Sequence, residues 1–159
     1  MLVSQVLDSL GDARDAAGRQ AWRAAYAAFG DADRTDLTAA DLENYGEAAW
    51  WSGKIDEAVG HREKAFGAYS ADGDTRGAAR LAMTLAWDYE GKGAFAVAGG
   101  WMANAERLLA DVPEAPEHGR LKLLHAMAMM FGGELDRGLE LASEHGGHGL
   151  HERKPAVLG

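Results

Sequence analysis

The sequence predicts an all-α fold, a right-handed stack of antiparallel helix hairpins forming an α-solenoid. Three observations carry that expectation. Alanine is abundant, β-branched residues are few, and the three prolines fall at 113, 116 and 155, so little before Pro113 breaks a helix. Apolar residues recur with the period of a helix face, at i, i+3, i+4 and i+7. Finally, turn glycines repeat, with Gly53, Gly93 and Gly133 standing forty residues apart.

Taken in order, Val3 to Leu10 reads as a short helix. Ala13 to Phe29 reads as a longer one, with Trp22, Tyr26 and Phe29 along one stripe. Residues 1–36 are thus expected to form a degenerate capping hairpin, because a terminal repeat has one side in water. Asp36-Leu37-Thr38 offers an N-cap region for the next helix, whose stripe is Leu42, Tyr45, Ala49 and Trp50. Only Ser52-Gly53 separates it from the clearest helix, Lys54 to Tyr69. That helix carries Ile55, Ala58, Val59, Arg62, Ala65, Phe66 and Tyr69 on one face, and Asp56, Glu57, His61, Glu63 and Lys64 on the other. So short a connection sets the two helices antiparallel and adjacent.

Aligning on the turn glycines brings further positions into register. Seven residues before them stand Gly46, Ala86 and Ala126; five after them stand Ala58, Ala98 and Gly138. Small side chains at both places let the two helices of a hairpin cross closely. Each hairpin keeps an apolar edge that only a neighbour can bury, so the hairpins must stack. Residues 37–145 are read as three such hairpins, with the residues in excess of a shorter repeat falling between hairpins, at Ser70–Arg76 and Asp111–His118. Residues 146–159 are read as a flexible tail rich in glycine and histidine.

This pattern resembles the tetratricopeptide repeat (TPR). The match is carried by Leu42, Tyr45, Gly46, Gly53-Lys54-Ile55-Asp56-Glu57-Ala58 and Ala65, then by Leu85, Ala86, Tyr89, Gly93, Ala98 and Ala105. In the third unit it is carried by Ala126, Gly133-Glu134-Leu135-Asp136 and Leu139. The period exceeds the family's usual length of about 34. A narrower likeness runs through Glu47-Ala48-Ala49-Trp50-Trp51-Ser52-Gly53, Gly73-Asp74, Ala78-Ala79-Arg80, Gly100-Trp101, Glu106-Arg107-Leu108-Leu109 and Pro113–Gly119. As a set these look like the TPR arrays of actinobacterial LuxR-type transcriptional regulators. Such regulators carry a basic helix-turn-helix module that this sequence does not contain, so the resemblance does not imply DNA binding.

Composition excludes several function classes. With no cysteine among 159 residues, disulfide scaffolds, thiolate metal sites and cysteine nucleophiles are ruled out. A net charge of -9 and scattered basic residues oppose both a nucleic-acid interface and an anionic membrane surface. A soluble cytoplasmic protein is expected. His145, His148 and His151 are spaced for a metal, but Gly146, Gly147 and Gly149 interrupt that segment, and no metal or cofactor is expected there. None of the serines sits in a nucleophile elbow, and Gly91-Lys92-Gly93 lacks the rest of a phosphate loop. Glu43 and Glu47 share a helix face, as acid–base chemistry would need, yet they read more simply as a groove-lining pair.

In TPR arrays the first helix of each hairpin lines the concave surface. The resemblance therefore implies a groove lined by Glu43, Glu47, Trp50, Met83, Trp87, Glu90, Met127 and Met130, with Trp22 and Trp101 packing between hairpins. Aromatic area, adaptable methionines and carboxylates together suit a basic amphipathic peptide or protein partner. The expected function is a non-catalytic regulatory interaction module. The alternative is a small-molecule sensor for an apolar or cationic ligand, and an enzyme using a groove carboxylate ranks behind both. A homodimer through an uncovered end at Leu139, Leu141 and Leu150 is a further expectation.

Overall fold

The computed structural model describes residues 2–35 and 37–130, with residues 2–8 as backbone alone. Among these the chain contains helices and turns and no strand. It divides into two compact units, Met1–His118 and Gly119–Gly159. The first holds α1 (Leu2–Gly18), α2 (Trp22–Asp31), α3 (Ala39–Trp51), α4 (Ile55–Ala71), α5 (Thr75–Gly91) and α6 (Phe95–Leu109). A seventh, α7, covers residues 116–130 and straddles the boundary.

Each helix of the first unit packs on its neighbour in sequence, and the pairs α1–α2, α3–α4 and α5–α6 form the closest associations. The turns between them are alike in chemistry. Gly53, Gly73 and Gly93 take φ of +76, +74 and +73, the left-handed region where a side chain costs about 1–2 kcal/mol. At each, the glycine N–H bonds back three residues and the next N–H bonds back five: Gly53 to Trp50 and Lys54 to Ala49, Gly73 to Ser70 and Asp74 to Tyr69, Gly93 to Glu90 and Ala94 to Tyr89. That is the Schellman closure, which satisfies the last carbonyls of one helix while the chain reverses into the next. The α1–α2 turn closes in the same way around Gln20, at φ 57 without glycine's freedom.

These turns alter two expectations. The forty-residue period does not come from extra residues at Ser70–Arg76, because α4 runs to Ala71 and α5 starts at Thr75 after the same tight turn. The length lies in the helices, since α4 and α5 have 17 residues each, and the glycine turn recurs every twenty residues. The longer connections are those after α2, residues 32–38, and after α6, residues 110–115. The N-terminal helix also does not break after Leu10. Gly11 lies within α1 with open space around its Cα, so helix continues through it to Gly18.

Side-chain contacts fix the antiparallel course. Across α3 and α4, Glu47 meets Arg62 and Glu43 meets Tyr69. Across α4 and α5, Tyr69 meets Arg80, Arg62 meets Asp88 and Glu63 meets Tyr89. The core is mostly alanine, which brings helix axes close. Ala13, Ala16, Ala17, Ala25, Phe29, Tyr45 and Ala48 form one cluster over α1 to α3. Ala39, Ala65, Tyr69, Ala78 and Leu81 form a second over α3 to α5. The small positions of the repeat register behave as the crossing argument requires: Ala58 and Ala98 are buried, and a Cβ on Gly46 would stand 2.9 Å from Arg62 Cγ. Trp22 packs on the first cluster, and Trp101 meets Phe66 edge-on at 5.0 Å.

Candidate functional site

The expected groove residues on α3 are held by arginines. Glu43 receives a two-pronged bond from Arg80, Nε to Oε1 at 2.9 Å and Nη2 to Oε2 at 2.8 Å, and accepts from the Tyr69 hydroxyl at 2.7 Å. Burial, reinforced by Glu43, pushes the Tyr69 phenol up to about 12. The bond to Glu43 likewise raises the Arg80 guanidinium. Glu47, one turn along α3, accepts from Arg62 Nη2 at 2.8 Å and from the Trp51 indole N–H at 2.8 Å.

Arg62 is the centre of this network. Its Nη1 meets both oxygens of Asp88 at 2.8 Å, and its guanidinium lies 4.9 Å from the centre of the Trp50 ring. Arg62 and Asp88 are both buried. Burial pushes the Asp88 carboxyl above the ordinary range, against the pull of Arg62. Neither Arg62 nor Asp88 entered the expected site. The signal was nonetheless present: a charged residue at 62 completes an otherwise apolar stripe, and such a charge must find carboxylates.

The same two-pronged device recurs along the chain. Arg14 grips Asp41 at 2.9 and 2.7 Å, tying α1 to α3, and Arg76 grips Glu117 at 2.9 and 3.2 Å, tying α5 to the first turn of α7. With Arg80–Glu43 between α3 and α5, each odd-numbered helix is joined to the next by one planar fork.

The remaining expected residues divide. Trp87 on α5 is 47% exposed, and Glu90, almost one turn on, is exposed as well. Trp50 is half-buried. Met83 is fully buried and therefore lines no open surface, because α5 turns that side into the core with Leu81 and Leu85. Met127 and Met130 belong to the second unit, where Met127 is half-buried and Met130 exposed. The structure thus carries Glu43, Glu47 and Trp50 on one helix, with Glu47 and Trp50 meeting Arg62 and Glu43 meeting Arg80. Trp51, Ile55, Phe95 and Val97 are further exposed apolar residues of the first unit.

Among the described residues no helix is long and apolar enough to cross a membrane. His145, His148 and His151, the third hairpin beyond residue 130, the tail, and the proposed dimer edge at Leu139, Leu141 and Leu150 lie outside the described residues. No family model and no curated protein matches the sequence.

Proposed function

We propose that the chain is a non-catalytic, TPR-like interaction module of regulatory role, binding a peptide or protein partner over the faces of α3 and α5. The observation that carries this reading is Trp87, a tryptophan left 47% exposed on a helix whose Leu81, Met83 and Leu85 are buried. An exposed, stiff aromatic supplies contact area at little entropic cost. Glu90 next to it, and a net charge of -9, favour a partner with basic flanks. The non-catalytic reading is supported by Glu43 and Glu47, whose carboxylates are engaged by Arg80 and Arg62. The regulatory role, and a cytoplasmic setting, rest on the resemblance to the arrays of LuxR-type regulators.

The test uses fluorescence anisotropy with two labelled amphipathic peptides of equal length, one flanked by Lys and Arg and the other by Glu. The basic peptide should bind, with affinity that falls as salt rises. Trp87→Ala should weaken it at least tenfold while circular dichroism is unchanged. Trp50→Ala is the poorer probe, because Trp50 covers Arg62 and its loss disturbs the ionic network. Equal binding of both peptides, or none of either, overturns the reading.

A further inference from the structure

A second surface feature lies along α4, beside the segment that joins α2 to α3. Arg34, Glu57, Gly60, His61 and Lys64 line an open cavity of about 350 Å³, within the size range of small-molecule sites though near its lower end. The repeat explains why it exists. Forty residues after His61 stands Trp101, which fills the corresponding space in α6 by packing edge-on against Phe66. Forty residues before Phe66 stands Tyr26 on α2. The earlier hairpin therefore has a tyrosine and a histidine where the later one has phenylalanine and tryptophan, and the smaller imidazole leaves a hollow. Gly60 adds no side chain to fill it, since a Cβ there would meet nothing within 4 Å.

The lining has a distinct chemistry. The imidazole of His61 is stacked on Tyr45 with ring centres 3.8 Å apart, which fixes its orientation. Its Nδ1 is buried and meets no hydrogen-bond partner among the described residues. Arg34 and Lys64 are exposed and, among the described residues, stand outside the ion pairs that occupy Arg14, Arg62, Arg76, Arg80 and Lys92, although Arg34 also donates to the Tyr45 hydroxyl. Glu57, the single acid in the lining, is engaged by the Tyr26 hydroxyl at 2.6 Å, a bond strong enough to push that phenol up to about 12. On a chain of net charge -9, two exposed cations that enter no salt bridge among the described residues stand here beside an imidazole nitrogen without a partner.

We propose that this hollow between α4 and the segment joining α2 to α3 binds a small organic oxyanion, a carboxylate or phosphate monoester with a planar body. Its charged head meets Arg34 and Lys64, and its body lies against the His61 ring over Gly60. Glu57 disfavours a second negative group at the opposite end, so the ligand carries one anionic head. The site is independent of peptide binding over α3 and α5.

The test follows the His61 ring by NMR in the full chain while inorganic phosphate, phenyl phosphate, benzoate or chloride is added at matched ionic strength. The His61 resonance is assigned by its disappearance in His61→Trp, which copies the residue found at 101. Saturable shifts with phenyl phosphate or benzoate, stronger than with inorganic phosphate and absent with chloride, are expected. Phenyl phosphate binding stronger than benzoate identifies a phosphate ligand; the reverse identifies a carboxylate. Calorimetry should show binding lost in His61→Trp and weakened at least tenfold in the double variant Arg34→Gln, Lys64→Gln. Both of those side chains are exposed, and circular dichroism checks that the double variant keeps its fold, since Arg34 also bonds to Tyr45. Shifts of equal size with chloride, or binding unchanged in the double variant, overturn the proposal.

Discussion

At the scale of single residues, arginine does what alanine cannot. A core built mostly of methyl groups gains little from each contact, and the chain supplements it with planar forks between helices two apart in sequence. Asp41 shows how closely such a carboxylate is integrated. It receives Arg14 on both oxygens, the Thr38 N–H at 3.0 Å and the Thr38 hydroxyl at 2.7 Å, while its own N–H bonds back to the Thr38 oxygen. Burial alone would raise its pKa, but the Arg14 and Thr38 bonds outweigh that and hold it below the ordinary carboxylate range. A carboxylate depressed on folding contributes stability that is complete above its unfolded pKa of about 3.9 and disappears as pH falls through the folded value. Asp88 acts with the opposite sign, because burial raises it, so stability falls as pH climbs from its unfolded to its raised folded pKa. We expect Asp41→Asn to lower the urea midpoint at neutral pH and to flatten its decline on acidification. An unchanged slope between neutrality and about pH 3 would show that Asp41 gains nothing on folding.

At the scale of elements, backbone proximity decides which glycines matter. A Cβ on Gly46 would stand 2.9 Å from Arg62 Cγ and 3.3 Å from the Ala58 carbonyl oxygen, at the crossing of α3 and α4. A Cβ on Gly77 would stand 2.6 Å from the Tyr69 ring, where α4 and α5 converge. Gly67, mid-way along α4, faces open space. Chemical denaturation should therefore find Gly46→Ala and Gly77→Ala each destabilising by about 1–3 kcal/mol, and Gly67→Ala stabilising by about 0.5–1 kcal/mol. Three equal effects would mean helix propensity, not crossing distance, governs these positions. The first of these glycines was legible in the sequence, since the register of Gly46 with Ala86 marks a position kept small. Gly77 was not, because its constraint comes from Tyr69 on a neighbouring helix and has no counterpart elsewhere in the repeat. The start of α3 at Thr38 was legible through its cap. The end of α1 was not, because Gln20 adopts a backbone conformation that its side chain gives no sign of.

At the scale of the whole molecule, helices that contact mainly their sequence neighbours make stability a sum of local terms, so it need not be uniform. The expected groove illustrates the limit of sequence reading at this scale. The resemblance implied that Met83 and Trp87 share one groove face, but four residues along a helix do not return to the same angle, and α5 has neighbours on more than one side. That difference buries Met83 and leaves Trp87 in the open. The number of buried side chains varies accordingly. α5 buries nine of its 17 residues, from Gly77 to Asp88, whereas α2 buries only Ala25 and Phe29 and has ten residues in all. α5 also carries Arg80 and Asp88, each bound to a preceding helix. α2 has no side-chain N-cap bond and follows the turn at Gln20, which pays for its positive φ. Opening α2 therefore forfeits few contacts, while opening α5 undoes both packing and ion pairs. Amide hydrogen exchange under native conditions should find the slowest protons in the middle turns of α5 and the fastest helical protons of the first unit's interior helices in α2. Protection in α2 equal to that in α5 would mean that the unit opens only as a whole, and that the local accounting of burial does not describe its stability.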